Sequence, residues 1–146
     1  MITIIKEIPT KVFKNKSKEV NLNLNIYRNL HHFTNNTMKV NYKKLITEIF
    51  KDVESIEDGV QIELIFTYYH NNKRKFDLSN ICSIIEKYTN DALVSLGIIK
   101  DDNITIIPKV TYLFGGINKG QSACILEIKE YNNKNEFEKY KKYINK

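Results

Sequence analysis

Three basic residues, Lys73, Arg74 and Lys75, precede Asp77 with one phenylalanine between, and an amphipathic run begins immediately after it in "HNNKRKFDLSNICSIIEKY". A carboxylate is a hard-oxygen ligand of the kind Mg²⁺ prefers, and clustered Lys and Arg hold phosphates, so this spacing suits a magnesium site that meets a phosphate. A second acidic point follows the run, where Asp101, Asp102 and Asn103 separate two Ile pairs.

Each position also has a structural reading. Asp77 stands where a helix N-cap belongs and could accept from the N–H groups of Ser79 or Asn80. Asp101 to Asn103 are good turn formers. Glu86 reads as solvated, and Asp91 as bonded to a polar neighbour beside the apolar face. His31 and His32 have no cysteine or carboxylate at ligand spacing, which favours phosphate contact over metal. Cys82 and Cys124, isolated among aliphatic residues, read as reduced core thiols. Walker-type loops, dinucleotide fingerprints, nucleophile elbows and HExxH pairs are absent from the sequence.

The elements that must position these residues belong to one domain, since 146 residues suffice for a single core and are too few to expect two. A formal charge of +6 makes a polyanion the first partner to consider. Apolar runs fall far short of the roughly 18 residues of a membrane span. The opening "MITIIKEIPTKVF" reads as a strand rather than a secretory signal, so the cell interior is the expected location.

Period-two patterning predicts strands over "ITIIKEI" and "EVNLNLNI", the latter alternating at Val20, Leu22, Leu24 and Ile26. A polar, aromatic loop then leads into a helix ending near Asp52, with Val40, Leu45, Ile49 and Phe50 as its apolar stripe. "GVQIELIFTYY" is the clearest strand, with Ile62, Leu64, Phe66 and Tyr68 on one face, and it delivers the chain into the basic triplet. From Leu78 to Leu96 the three-and-four spacing specifies a helix stopped by Gly97. "IIKDDNITIIPKVTYLFGG" reads as a polar turn followed by a strand, "QSACILEIKEY" as another strand joined to it as a hairpin through "GGINKG", and "NEFEKYKKYINK" as a short basic helix. The fold class is mixed α/β (α+β), a mixed sheet with helices packed on it.

Taken together, "KRKFDLSN", the helix carrying "NDAL", and "LGIIKDDNI" resemble the RusA family of Holliday junction resolvases, especially its phage and prophage branch. "LNLNIYRNLHH" resembles that family's Asn-x-Tyr segment, so the likeness runs from about Val20 to Ile128, leaving 129–146 as a basic tail. The resemblance implies a homodimeric, Mg²⁺-dependent endonuclease, with Mn²⁺ as a substitute, that nicks four-way DNA junctions in the cytoplasm of a bacterial host. It assigns Asp77 and Asp102 to catalysis and metal binding, with Asp101 beside Asp102 as the substitute for the aspartate missing at Ser79; Lys73, Arg74 and Lys75, with Tyr27, Arg28, His31 and His32, are the residues expected to contact DNA. Asn80 matches the signature too. Ser79 departs from it, standing where a second aspartate is expected, and Ser83 stands where members often carry lysine.

Asp77 opens a helix of about 19 residues and Asp102 follows its end, which separates them by roughly 28 Å. One metal cannot bind both within a straight-helix monomer. Antiparallel packing of the 78–96 helices across a two-fold axis would instead bring Asp77 of one chain to Asp101 and Asp102 of the other. Two further readings stay open: a RusA-like protein that binds branched DNA without cutting it, and a small basic protein-interaction module.

Overall fold

A computed structural model of the chain describes residues 2–132 and 135–144. In chain order the elements are β1 (Thr3–Ile8), β2 (Lys11–Phe13), β3 (Glu19–Asn21), α1 (Leu24–Arg28), α2 (His32–Ile49), β4 (Ile62–His70), α3 (Leu78–Ser95), β5 (Lys109–Ile117) and β6 (Ala123–Glu130). A 3₁₀ helix spans Glu136–Tyr143; the expected tail helix falls partly here, and its last two residues lie outside the described ones.

Four strands form a mixed sheet in the order β1-β6-β4-β5. β4 is its hub, pairing antiparallel with β6 and parallel with β5, and α3 is the crossover that a parallel pair requires. Ile62, Leu64, Phe66 and Tyr68 are buried on one face of β4, as the alternation predicts. Cys124, Leu126 and Ile128 of β6 extend that buried face.

α3 supplies the other half of the core. Eight of its residues are buried, among them Cys82, Ile85, Tyr88 and Leu93. The helix ends as its sequence predicts, with Gly97 at φ 74°, a left-handed conformation that glycine takes without a Cβ clash.

Four expectations are corrected. First, the alternation after Val20 does not continue as a strand. The Asn23 side-chain oxygen accepts from Ile26 N at 2.9 Å, so the backbone turns into α1, with Leu24 and Ile26 both helical and Leu24 packed against the core.

Second, the expected stripe of α2 holds only at its end, where Ile49 packs on the core and the C-cap Phe50 is buried; within the helix Met38, Tyr42 and Ile46 are buried instead, and Val40 is 55% exposed and Leu45 42% exposed. Tyr42 can enter the core because its hydroxyl has partners there: it donates to Pro9 O at 2.9 Å and shares a hydrogen bond with Thr89 Oγ1 at 3.0 Å.

Third, β5 and β6 do not form a hairpin, because β4 lies between them. The connecting loop crosses the end of β4, where Asn118 N donates to His70 O and Gly120 N to Asn71 O. Fourth, Glu86 is not simply solvated: its carboxylate accepts from the Tyr112 hydroxyl and from Asn90 Nδ2.

The expected dimer seam also changes character. α3 contacts β4, β5, α1 and α2 within the chain, leaving only Ser79, Lys87 and Ser95 exposed along its length. Its apolar stripe is spent on the chain's own core.

Candidate nucleic-acid interface

β4 ends at His70, and residues 71–77 lead from the end of this inner strand to the head of α3. Arg74 N donates to Asn72 Oδ1 at 2.8 Å, a side-chain-stabilised turn that shapes the basic triplet. Lys73, Arg74 and Lys75 are exposed, and none forms an ion pair among the described residues. Some lysines elsewhere are matched, as Lys6 with Asp52, Lys39 with Asp91 and Lys129 with Glu63, while Lys14, Lys16, Lys43 and Lys44 are also without an ion pair among the described residues.

These cations line a cleft of about 1220 Å³ together with Asp77 and Asn80 from the head of α3, Asn23 and Asn25 from the start of α1, and His70. The capping reading of Asp77 does not hold at the side chain. Asp77 is the N-cap residue by backbone geometry, yet its carboxylate accepts no helix N–H. Among the described residues its one side-chain partner is Asn80 Nδ2, which donates to Asp77 Oδ2 at a long 3.4 Å. The carboxylate is therefore open to the cleft's occupant.

His70 was not anticipated as a site residue. It is the next step of the period-two row Phe66, Tyr68, so extending the β4 alternation by one position would have placed it here. Tyr68 Oη and His70 Nδ1 are 2.9 Å apart, which fixes the ring. Burial holds the His70 imidazole below its ordinary pKa and the Tyr68 phenol above its own.

The other anticipated residues lie elsewhere. Asp101 uses its carboxylate in its own turn, accepting from Asp102 N at 2.7 Å and Asn103 Nδ2 at 2.9 Å. Asp102 is exposed beyond the far end of α3, on a separate depression lined by Lys39, Val40, Lys43 and Asp91. Eighteen helical residues put roughly 27 Å between the two ends of α3. Asp101 therefore does not replace the aspartate missing at Ser79 within one chain.

Tyr27 packs edge-on against Tyr88 at 6.4 Å and belongs to the core margin. Arg28 is exposed in the last turn of α1. His31 caps α2, accepting from Phe33 N at 3.3 Å, and stacks on His32 at 4.5 Å; both are exposed outside the cleft lining. Ser79 is exposed and Ser83 half-buried.

No cluster of three His, Cys, Asp or Glu side chains able to hold a metal occurs among the described residues. The head of α3 nonetheless offers the oxygens that Mg²⁺ uses when it keeps its waters, one carboxylate (Asp77) and one carboxamide (Asn80), with phosphate oxygens to complete the shell. That donor set fits a metal brought or completed by substrate and does not fit a preformed all-protein cage.

No helix among the described residues is long and apolar enough to cross a membrane. Comparison with protein-family models and with curated proteins finds no match for the chain. The likeness to the RusA family rests on the quoted motifs.

Proposed function

We propose that the chain is a Mg²⁺-dependent, structure-specific DNA endonuclease of the RusA type, acting on four-way or other branched DNA. The observation that carries this reading is the pairing of an uncommitted carboxylate with three unpaired cations in one cleft: Asp77 beside Lys73, Arg74 and Lys75. Charges of both signs left unneutralised by the protein suit an occupant that brings phosphate and a divalent cation together.

The three cations hold backbone phosphates on either side of the scissile one and supply the salt-sensitive part of affinity. His70, with Nδ1 engaged by Tyr68, presents its other nitrogen as a polar contact. Asn23 and Asn25 add neutral donors from α1. Asp77 and Asn80 would hold Mg²⁺, which when bound polarises the scissile phosphate and lowers the pKa of a bound water. A partner chain's Asp102 would add the second carboxylate.

A second reading has its own observation. With Ser79 in place of an acid, each chain puts a single carboxylate into the cleft, which favours binding branched DNA without cutting it. A supercoiled plasmid carrying an extruded cruciform separates the two. The endonuclease linearises it with Mg²⁺ and leaves it intact in EDTA; retention of the uncut plasmid in both conditions, with tight binding, supports the second reading.

A further inference from the structure

The cleft has an apolar wall that phosphate binding and metal binding do not use. Phe114 is 52% exposed and Ile117 46% exposed, and both line the same cleft as Lys73, Arg74 and Lys75. Three positions apart on a regular strand, they would point to opposite faces of the sheet. An irregularity in β5 prevents this: Phe114 pairs with Tyr68 and Ile117 with His70, leaving Gly115 as the extra residue. Tyr68 and His70 share a face, so Phe114 and Ile117 share it too.

The sequence allows the bulge at two glycines. Gly116 has φ 123°, and a Cβ on Gly115 would stand 2.5 Å from the Tyr69 ring. Phe114 is braced from behind, with its ring 5.7 Å from Phe76 in an edge-on contact, while Phe76 lies 4.2 Å from His70. A held aromatic residue about half exposed therefore shares one cleft with three cations that form no ion pair among the described residues.

We infer that Phe114 and Ile117 form a subsite for a nucleobase outside a duplex, stacked on Phe114 while its phosphates lie along Lys73–Lys75. The inference rests on the nucleic-acid reading above and names the feature of branched DNA that the site takes. The basic wall argues for this occupant over an apolar peptide, because a nucleotide joins an apolar face to a phosphate at the separation a cleft provides. A base in a duplex is stacked on both faces and cannot use the wall, so the subsite discriminates between structures rather than sequences.

The chain has no tryptophan, so Phe114→Trp installs a single indole reporter on the wall. Titration in EDTA, where no cutting occurs, with oligothymidylate and with a blunt hairpin duplex, tests the subsite. Oligothymidylate is expected to quench the indole and the duplex to leave it unchanged. In anisotropy measurements with labelled DNA, Phe114→Ala should weaken oligothymidylate binding about 5- to 150-fold, leave duplex binding unchanged, and be matched by Phe114→Leu but not by Phe114→Tyr. Thermal unfolding of each variant checks that the fold is kept. Binding without quenching, or equal losses on single strand and duplex, overturns the subsite alone; absence of all DNA binding at low salt overturns the nucleic-acid reading with it.

Discussion

Asp77 begins α3 and Asn80 Nδ2 approaches its Oδ2 at 3.4 Å, while the N–H groups of the first helical turn receive nothing from the Asp77 side chain. A capping oxygen at this position is ordinarily worth about 0.5–2 kcal/mol, and here that contribution is not drawn on. Asp77→Asn should therefore unfold within about 0.5 kcal/mol of wild type, the range of an ordinary surface change. Cleavage of a four-way junction should be lost and binding of it retained. Full activity in Asp77→Asn would show that the metal ligand lies elsewhere.

Asp102 cannot reach Asp77 in the same chain, because α3 separates them by roughly 27 Å. If a partner's Asp102 completes the site, the two-fold axis must pass near the middle of α3, along the side that leaves Ser79, Lys87 and Ser95 exposed, so that the head of one helix meets the far end of the other. Sedimentation should give about twice the chain mass at micromolar concentration. Mixing inactive Asp77→Asn with inactive Asp102→Asn should restore nicking, because one of the two shared sites in the mixed dimer then holds both aspartates. No recovery on mixing would place each site within one chain.

Lys73, Arg74 and Lys75 are exposed and form no ion pair among the described residues, so their replacement costs the fold little and the complex much. The triple change to Ala should lower junction affinity and flatten the dependence of log K on log salt by up to about 2.7, near 0.9 for each phosphate contact removed. Thermal stability should hold. An unchanged slope would move the DNA surface to the tail or to the His31–His32 stack.

Alkaline pH should unfold the protein. Burial pushes the Cys82 and Cys124 thiols from 9.0 up to about 12, and the Tyr88 phenol to about 12 as well. The folded chain keeps these protons where the unfolded chain sheds them, so their stabilising effect is complete below about pH 8.5 and declines as pH rises toward 12. The melting temperature should fall from pH 9 to pH 11, and thiol reagents should label neither cysteine until the chain is denatured. Rapid labelling of the native protein at pH 8 would contradict the burial.

What could be read in advance follows the range of the interactions involved. The β4 row and the α3 stripe were legible because burial of one face repeats within a few residues. α1 was not, because a single Asn23 side chain redirects an otherwise alternating segment. Nor was the α2 face, where Tyr42 enters the core only because Pro9 O and Thr89 wait for its hydroxyl. Strand order escaped for the same reason: β6 pairs with β1 and β4, contacts that no local pattern encodes. In the cleft, Lys73 to Asn80 are contiguous and were anticipated, whereas Asn23, Asn25, His70 and Phe114 arrive from other segments.

Ser79 is the sharpest point at which to test the metal. It is exposed in the first turn of α3, a turn that carries no acidic residue, so Ser79→Asp adds a negative charge where the helix dipole favours one by about 0.3–1 kcal/mol. Without metal that gain opposes repulsion from Asp77 two residues before, and the net change in stability should be small. With Mg²⁺ the two carboxylates share a cation and the repulsion becomes attraction. The upward shift in melting temperature on adding Mg²⁺ should therefore be larger in Ser79→Asp than in wild type, and cleavage at limiting Mg²⁺ should rise with it. The control is Ser79→Asp combined with Asp77→Asn, which keeps the dipole gain and loses the paired ligands, so its Mg²⁺ response should return to the wild-type level or below. Equal Mg²⁺ shifts in all three chains would show that the head of α3 holds no divalent cation, and the non-cutting reading would then stand in place of the endonuclease.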